Sequence, residues 1–223
     1  MKNEVLELFK RKASCLPDCW CELPRLDSFP VEPANSWSNI SFLLVAFLIF
    51  RNFDIRKLET KMASISFIGL GLGSFFFHST LSYVGQLFDV VGMYVLVSFF
   101  IYYLLNFWSS KNSQRRILEW VTLNIFMGVG IYYFPSIRRF LFAFLILFLL
   151  FLTQKNISKN DPKKDFYLSI VLLVSGILCW TLDRNKVFCI PDAWINLHCF
   201  WHFFVSFSGY YYFKFLSSLR GQS

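Results

Sequence analysis

Charged residues are scarce in this sequence, and histidines are scarcer still. Only 16% of the 223 residues are Asp, Glu, Lys or Arg and three are histidine, whereas 56% are hydrophobic and 29 are phenylalanine. So few charges exclude an ordinary water-soluble domain of this length and indicate an integral membrane protein. The first 35 residues lack the apolar run of a secretory signal peptide, so no such peptide is expected.

The basic residues do not indicate nucleic-acid binding, although the formal net charge is +8. They fall in short loops between apolar runs, as topology signals do in membrane proteins. Several of these runs approach the ~20 residues that a helix needs to cross a bilayer. The sequence therefore predicts an all-α membrane protein with a bundle of seven transmembrane helices, at roughly 36–53, 63–82, 86–108, 117–135, 137–153, 166–182 and 193–216. The fourth and fifth runs are either two spans or one broken hairpin.

Lys and Arg are unequally distributed between the two predicted sides. Beyond the N-terminal segment, the side that carries the N-terminus holds only Arg138, Arg139, Arg184 and Lys186. Because cytoplasmic loops are rich in Lys and Arg, we predict an outer or luminal N-terminus and a cytoplasmic C-terminus. The expected organisation is an extramembrane segment at 1–35 that packs on the bundle, a transmembrane domain at 36–216 and a cytoplasmic tail at 217–223.

Four of the six cysteines fall on the predicted outer side, where an oxidising compartment would allow disulfide bonds. They are Cys15, Cys19, Cys21 and Cys189. Four cysteines can pair in three ways, and the residues alone do not select one. Free thiols and a metal site at the C-x3-C-x-C pattern are the alternatives.

All three histidines lie in apolar runs, near the same predicted side. His198 and His202 are four residues apart and share one helix face, and His78 lies near the end of another run. Ionisable residues within membrane spans are usually functional, and three imidazoles with an open position for water form a catalytic zinc site. The pattern therefore predicts bound Zn²⁺, and the alternative is three hydrogen-bonded packing residues.

Other polar residues accompany the histidines. Ser74 lies one helical turn before His78, and Asp89 stands early in the third run without a basic neighbour in that run. A carboxylate in lipid is costly, so a metal-bound water or a ligand imidazole would be a fitting partner for Asp89. Asp183 is a weaker candidate, since its neighbour Arg184 would allow a simple ion pair at a helix end.

The sequence resembles the alkaline ceramidase family of seven-span membrane hydrolases, in the wider group that includes the adiponectin receptors. The resemblance covers almost the whole chain and rests on WCE at 20–22, EPANSWSN at 32–39, GLGSFFFHSTLSYVGQLFD at 71–89, CWTLD at 179–183 and HCFWH at 198–202. It implies zinc-dependent hydrolysis of the amide bond of ceramide, or of a related N-acyl lipid, to a fatty acid and a sphingoid base.

The resemblance also implies individual roles. Zinc ligands would be His78, His198 and His202, Asp89 would be the acid/base partner of the attacking water, and Ser74 would stabilise the oxyanion. Bound zinc lowers the pKa of water toward ~7 and polarises carbonyl groups. A Cys21–Cys189 disulfide is implied as well, together with a Ca²⁺ site whose oxygen ligands would come from Asp18, Trp20, Glu22 and Glu32. Cys19 stands where the family usually has Asp, and Pro24 stands where it usually has Asn.

Two other functions are compatible with seven spans. One is a lipid-binding or receptor-like protein with structural zinc, but structural zinc normally has four protein ligands and no fourth is evident. The other is a proton-coupled transporter, which would usually show repeats or broken helices. The expected partners are therefore a lipid amide substrate and membrane lipids, with the active site facing the non-cytoplasmic side.

Overall fold

The computed structural model describes residues 11–15, 19–105, 112–158 and 163–219. Within these ranges the regular secondary structure is helical, apart from an isolated antiparallel bridge between Lys12 and Ser82. The prediction of an all-α fold is confirmed. The described helices are α1 (Pro33–Ser38), α2 (Ile40–Asn52), α3 (Leu58–Thr80), α4 (Tyr83–Leu104), α5 (Ser113–Tyr133), α6 (Arg138–Asn156), α7 (Lys164–Arg184) and α8 (Leu197–Leu219).

Each of the seven predicted runs coincides with helix, but not all of these helices are equally apolar. Five segments of the described chain are long and apolar enough to cross a membrane: Pro33–Asn52, Leu58–Thr80, Tyr83–Leu104, Pro135–Asn156 and Lys164–Arg184. Helices α5 and α8 are long enough, with 21 and 23 residues, but their hydropathy does not reach that of a candidate span. The first turns of α5 carry Arg115, Arg116 and Glu119, and α8 carries two histidines with several serines and tyrosines.

The fourth and fifth runs form two separate helices rather than one broken hairpin. Helix α5 ends at Tyr133, and a single 3₁₀ turn at Pro135–Ile137 leads directly into α6. Proline fixes the backbone φ and lacks an N–H, so it suits the first position of such a turn. The fourth and fifth runs are therefore two complete helices with a short connection between them.

Helices α3 and α4 form a tight antiparallel hairpin. Leu81 ends α3 in the left-handed conformation, with φ 44°, and Ser82 caps α4 by accepting a hydrogen bond from the Gly85 amide at 3.0 Å. The two backbones approach so closely that a Cβ atom at Gly73 would lie 2.8 Å from the Phe88 carbonyl oxygen. This close approach places the end of α3 directly beside the start of α4.

The segment before α1 lies across the α3–α4 turn. The Ala13 amide donates to the Leu81 carbonyl at 2.8 Å, and the Tyr83 amide donates to the Arg11 carbonyl, also at 2.8 Å. The Ser14 hydroxyl donates to the side-chain oxygen of Gln86 at 2.9 Å. These bonds fix the N-terminal segment to the helices at the end of the bundle where α3 ends and α4 begins.

Two disulfides hold the same region. Cys21 is bonded to Cys189 in the connection before α8, as the resemblance implies, and Cys15 is bonded to Cys19. Free thiols and a cysteine metal site are therefore both wrong for these four residues. The pairing could not be read from the residues because it depends on how the 19–32 segment folds back over the helix ends.

Candidate functional site

The three histidines meet in one cluster. His78 comes from the last turns of α3, and His198 and His202 come from the first turns of α8. All three are buried, and the Nε2 atoms of His78 and His198 are 3.3 Å apart. One nitrogen from each ring lies within 4.8 Å of the others. Among the described residues, this is the only group of three or more His, Cys, Asp or Glu side chains placed to hold a metal ion.

The donor set fits a metal ion. Two neutral imidazole nitrogens 3.3 Å apart repel each other unless they share a proton or a cation, and three converging imidazoles are typical cation ligands. The Nδ1 atom of His198 is buried and has no hydrogen-bond partner, so this ring is held without a full set of protein contacts. The cluster could therefore bind a metal ion and would leave a coordination position for a further ligand.

Groups outside the cluster bind the far sides of the rings. The Nδ1 atom of His78 lies 2.6 Å from an oxygen of Glu32, and Nδ1 of His202 lies 2.7 Å from the Ser38 hydroxyl. Such outer contacts fix the orientation of ligand imidazoles in metal sites. Sequence reasoning assigned Glu32 to calcium and did not single out Ser38, although both lie in the quoted EPANSWSN block.

Asp183 joins the N-terminal segment to the start of α8. Its side chain is 1% exposed, and its two oxygens accept hydrogen bonds from the backbone amides of Cys21 at 3.1 Å and His198 at 3.3 Å. The sequence interpretation of a simple helix-end ion pair with Arg184 misses this role. No pattern in the sequence near Asp183 indicates this contact, because Cys21 lies 162 residues away in the chain.

Ser74 and Asp89 lie on the two helices of the tight hairpin. Ser74 is buried one turn before His78, and Asp89 is partly exposed on α4. The Asp89 carboxylate faces the Ser74 hydroxyl, His78 and Arg138. The structure thus brings both predicted catalytic residues to the histidine cluster. It adds Arg138 of α6, a basic neighbour that the third run itself does not contain.

Among the predicted calcium ligands, Glu22 has other partners in this structure, whereas one carboxylate oxygen of Glu32 is buried without a hydrogen-bond partner. The carboxylate oxygens of Glu22 accept hydrogen bonds from the amides of Ala34 and Asn35 at 2.8 Å each, and so stabilise the start of α1. Burial raises the pKa of the Glu22 carboxyl, and these two backbone bonds oppose the shift. The Trp20 ring packs on the His198 ring with centroids 4.0 Å apart. Asp18 lies outside the described residues, and the calcium site stays a prediction.

An apolar cavity begins one helical turn from the site. Leu70 lies four residues before Ser74, and Val205 lies three residues after His202. The cavity extends between α3, α4, α6, α7 and α8 as far as Tyr212. The Tyr212 hydroxyl is hydrogen-bonded to the Thr153 hydroxyl, so no unsatisfied hydroxyl closes this end. Such a cavity suits a hydrocarbon chain.

The chain is similar in sequence to known proteins of one family. The family model described as Ceramidase matches residues 19–223. A putative alkaline ceramidase of Dictyostelium discoideum, dcd3A, is 28% identical over 193 residues, which cover 75% of this chain and 67% of that protein. The alkaline ceramidase of Drosophila melanogaster is 26% identical over 212 residues, with 87% and 74% covered. Alkaline ceramidase YPC1 of Saccharomyces cerevisiae is 26% identical over 244 residues, with 90% and 75% covered.

Proposed function

This chain belongs to the ceramidase family, and from that premise we propose that it is a zinc-dependent intramembrane amidase. Its substrate is ceramide or a related N-acyl lipid, and the products are a fatty acid and a sphingoid base. The observation that carries the proposal is the convergence of three buried histidines with Ser74 and Asp89, one helical turn away from residues that line an apolar cavity. A purely structural zinc ion would need neither the Asp89 carboxylate nor the Ser74 hydroxyl beside a free coordination position.

His78, His198 and His202 would hold the zinc ion. When bound, zinc supplies Lewis acidity, which makes water a nucleophile near neutral pH and polarises the amide carbonyl. Asp89 takes the proton of the attacking water and returns it to the leaving nitrogen. The Ser74 hydroxyl, buried beside Asp89, donates a hydrogen bond to the oxyanion that develops on the carbonyl.

The apolar cavity would bind one hydrocarbon chain of the substrate. It lies next to the site and is lined by side chains such as Leu70, Met93 and Val205, so the amide would lie at the histidine cluster while the chain extends toward Tyr212. Burying that chain removes apolar surface from water or from disordered lipid and fixes the scissile bond in position.

All seven helical segments would cross the membrane, with the N-terminus outside and the C-terminus in the cytoplasm. The excess of Lys and Arg in the loops opposite the N-terminus supports this orientation. The two disulfides at the histidine end of the bundle fit a non-cytoplasmic site, because cytosolic thiols are kept reduced. In this arrangement 1–35 is extramembrane, 36–216 spans the membrane and 217–223 is the cytoplasmic tail, and calcium would bind near Glu22 and Glu32.

The proposal is tested with the purified full chain in detergent or nanodiscs. Metal analysis is expected to give about one zinc per chain, and labelled ceramide should release fatty acid in a reaction that a chelator stops and added zinc restores. A panel of other N-acyl lipids then identifies the preferred amide. If the zinc-loaded protein binds these lipids but cleaves none of them, the receptor-like alternative is correct and the amidase proposal is wrong.

A further inference from the structure

The six-residue helix α1 lies against the histidine cluster, and the hydrolysis mechanism makes no use of it. It comes from the EPANSWSN block, and its last residue is Ser38. The Ser38 hydroxyl oxygen lies 2.9 Å from the Asn35 carbonyl oxygen and 2.7 Å from Nδ1 of His202. These two contacts determine where the protons of the imidazole lie.

A serine hydroxyl has one proton to donate. The Asn35 carbonyl can only accept a hydrogen bond, so the Ser38 proton is directed to it, and the Ser38 oxygen must accept from Nδ1–H of His202. The thiol of Cys199, which also faces Ser38, is a weaker acceptor than a carbonyl. His202 therefore carries its proton on Nδ1, and the lone pair of Nε2 is free for the histidine cluster.

The acceptor that receives the Ser38 proton is itself fixed. The Asn35 carbonyl also accepts from the Asn39 side chain at 2.8 Å, and the Asn35 amide donates to Glu22 at 2.8 Å. Asn35 is fully buried, so water does not compete for these bonds. The Ser38 hydroxyl is thus held in one orientation by the fold of α1 rather than by the site that it serves.

The same reasoning applies to His78, whose partner Glu32 immediately precedes α1. Glu32 accepts from the Asn35 side chain at 3.3 Å and from Nδ1 of His78 at 2.6 Å with the same oxygen. A carboxylate only accepts, so His78 also carries a proton on Nδ1 and turns Nε2 inward. His198 differs, because its Nδ1 atom has no hydrogen-bond partner.

We propose that Ser38 is a positioning residue that selects the Nδ1–H tautomer of His202 and so presents Nε2 to the metal. The inference rests on the proposed zinc site and specifies how this chain prepares one ligand of it. Ser38 itself touches neither metal nor substrate. Replacing it with alanine would leave Nδ1 of His202 without its acceptor and allow the ring to rotate or change tautomer.

Metal affinity is the first measurement, made by chelator competition on the full-length protein. Ser38→Ala is expected to weaken zinc binding by about 10- to 100-fold, as removal of such outer partners does elsewhere. Ser38→Thr keeps the hydroxyl and should bind zinc like the wild type. Ser41→Ala is the matched control, because Ser41 is a buried serine three residues further along whose hydroxyl has no hydrogen-bond partner.

Two readouts separate ligand positioning from a general loss of structure. The visible spectrum of the Co²⁺-substituted protein is expected to change in Ser38→Ala and to be restored in Ser38→Thr. In the metal-free wild type, nitrogen-15 spectra of the imidazoles contain signals from only three histidines. They should show His202 and His78 as Nδ1–H tautomers. This spectrum decides the question even if Ser38→Ala does not fold.

The outcomes distinguish the inference from the proposed function. A wild type that binds no metal overturns both. If Ser38→Ala binds zinc as tightly as the wild type, the role of Ser38 is wrong and the amidase proposal stays intact. The same holds if the wild-type spectrum shows His202 with its proton on Nε2. The inference is supported if Ser38→Ala binds zinc more weakly while Ser38→Thr and Ser41→Ala bind it like the wild type.

Discussion

At the scale of single residues, the buried carboxylates near the histidines are stabilised by the groups that they bind. Removing a carboxylate from water is costly unless hydrogen bonds or opposite charges replace the lost hydration. Asp183 is bound by two backbone amides, and Glu32 by an asparagine and an imidazole. Asp89 is more exposed and faces a hydroxyl, an imidazole and Arg138. The most exposed of the three is the one to which the proposed mechanism assigns the exchange of protons with the substrate.

Asp89→Asn is expected to lower kcat for ceramide by about 10²- to 10⁴-fold, because an amide cannot accept the water proton. Ser74→Ala should lower kcat by about 10²- to 10³-fold by removing the oxyanion donor. Zinc content and the thermal unfolding temperature are the controls, and both should stay close to wild type. Full activity in Asp89→Asn would place the acid/base group elsewhere.

Asp183→Ala is expected to lower stability rather than to act on the chemistry directly. Each hydrogen bond to a charged group contributes about 1.5–3 kcal/mol, and two buried amides would lose their acceptor. Thermal unfolding in detergent measures the effect. Asp192→Ala provides the matched control, since Asp192 is an exposed aspartate in the following connection. Equal unfolding temperatures for the two variants would contradict the structural role of Asp183.

At the scale of elements, the α3–α4 hairpin sets the distance between Ser74 and Asp89. The pairing depends on the backbone contact at Gly73, one residue before Ser74, against the carbonyl of Phe88, one residue before Asp89. Any side chain at position 73 must move one helix away from the other. The site geometry is therefore coupled to helix packing at a single position.

Gly73→Ala is expected to reduce activity and to lower stability by about 1–3 kcal/mol, because its Cβ would overlap the Phe88 backbone. Gly69→Ala is the matched control on the same helix. A Cβ atom there meets nothing within 4 Å, and alanine favours helix over glycine. Ceramide turnover and thermal unfolding of both variants test the idea, which fails if Gly73→Ala behaves like Gly69→Ala.

At the scale of the whole molecule, the N-terminal segment and α8 are tied together over the site. The Cys21–Cys189 disulfide, the Asp183 contacts and the packing of Trp20 on His198 all act between residues that are distant in the chain. Helix α7 packs mainly on α8, so the same ties also stabilise the α7–α8 pair. The end of the bundle that carries the histidines is thus the most extensively cross-linked part of the described chain.

Cys21→Ser with Cys189→Ser is expected to lower stability by about 2–5 kcal/mol and to loosen Trp20 from His198, with lower zinc affinity as a consequence. Thermal unfolding and chelator competition measure the two effects. Cys179→Ser is the control, because Cys179 is a free thiol. Unchanged zinc affinity in the double variant would show that the disulfide does not support the site.

Features that depend on residues close together in the chain could be predicted from the sequence, whereas contacts between distant residues could not. Hydropathy located the helices, and the i, i+4 spacing with a shared depth brought His78, His198 and His202 together, because helix geometry is local. The contacts Glu32–His78 and Ser38–His202 join residues 46 and 164 positions apart, and no local pattern encodes them. The Cys15–Cys19 pairing depends on the path of the N-terminal segment, which hydropathy does not describe.

The position of the histidines along the chain has a consequence for biosynthesis. His78 enters the membrane with the second long helix, whereas His198 and His202 belong to the last described helix, and Cys189 comes just before it. A nascent chain that has not yet reached residue 197 has one of the three imidazoles and cannot assemble the cluster. A lipid hydrolase made in this order cannot form its histidine cluster until the chain has been synthesised through α8.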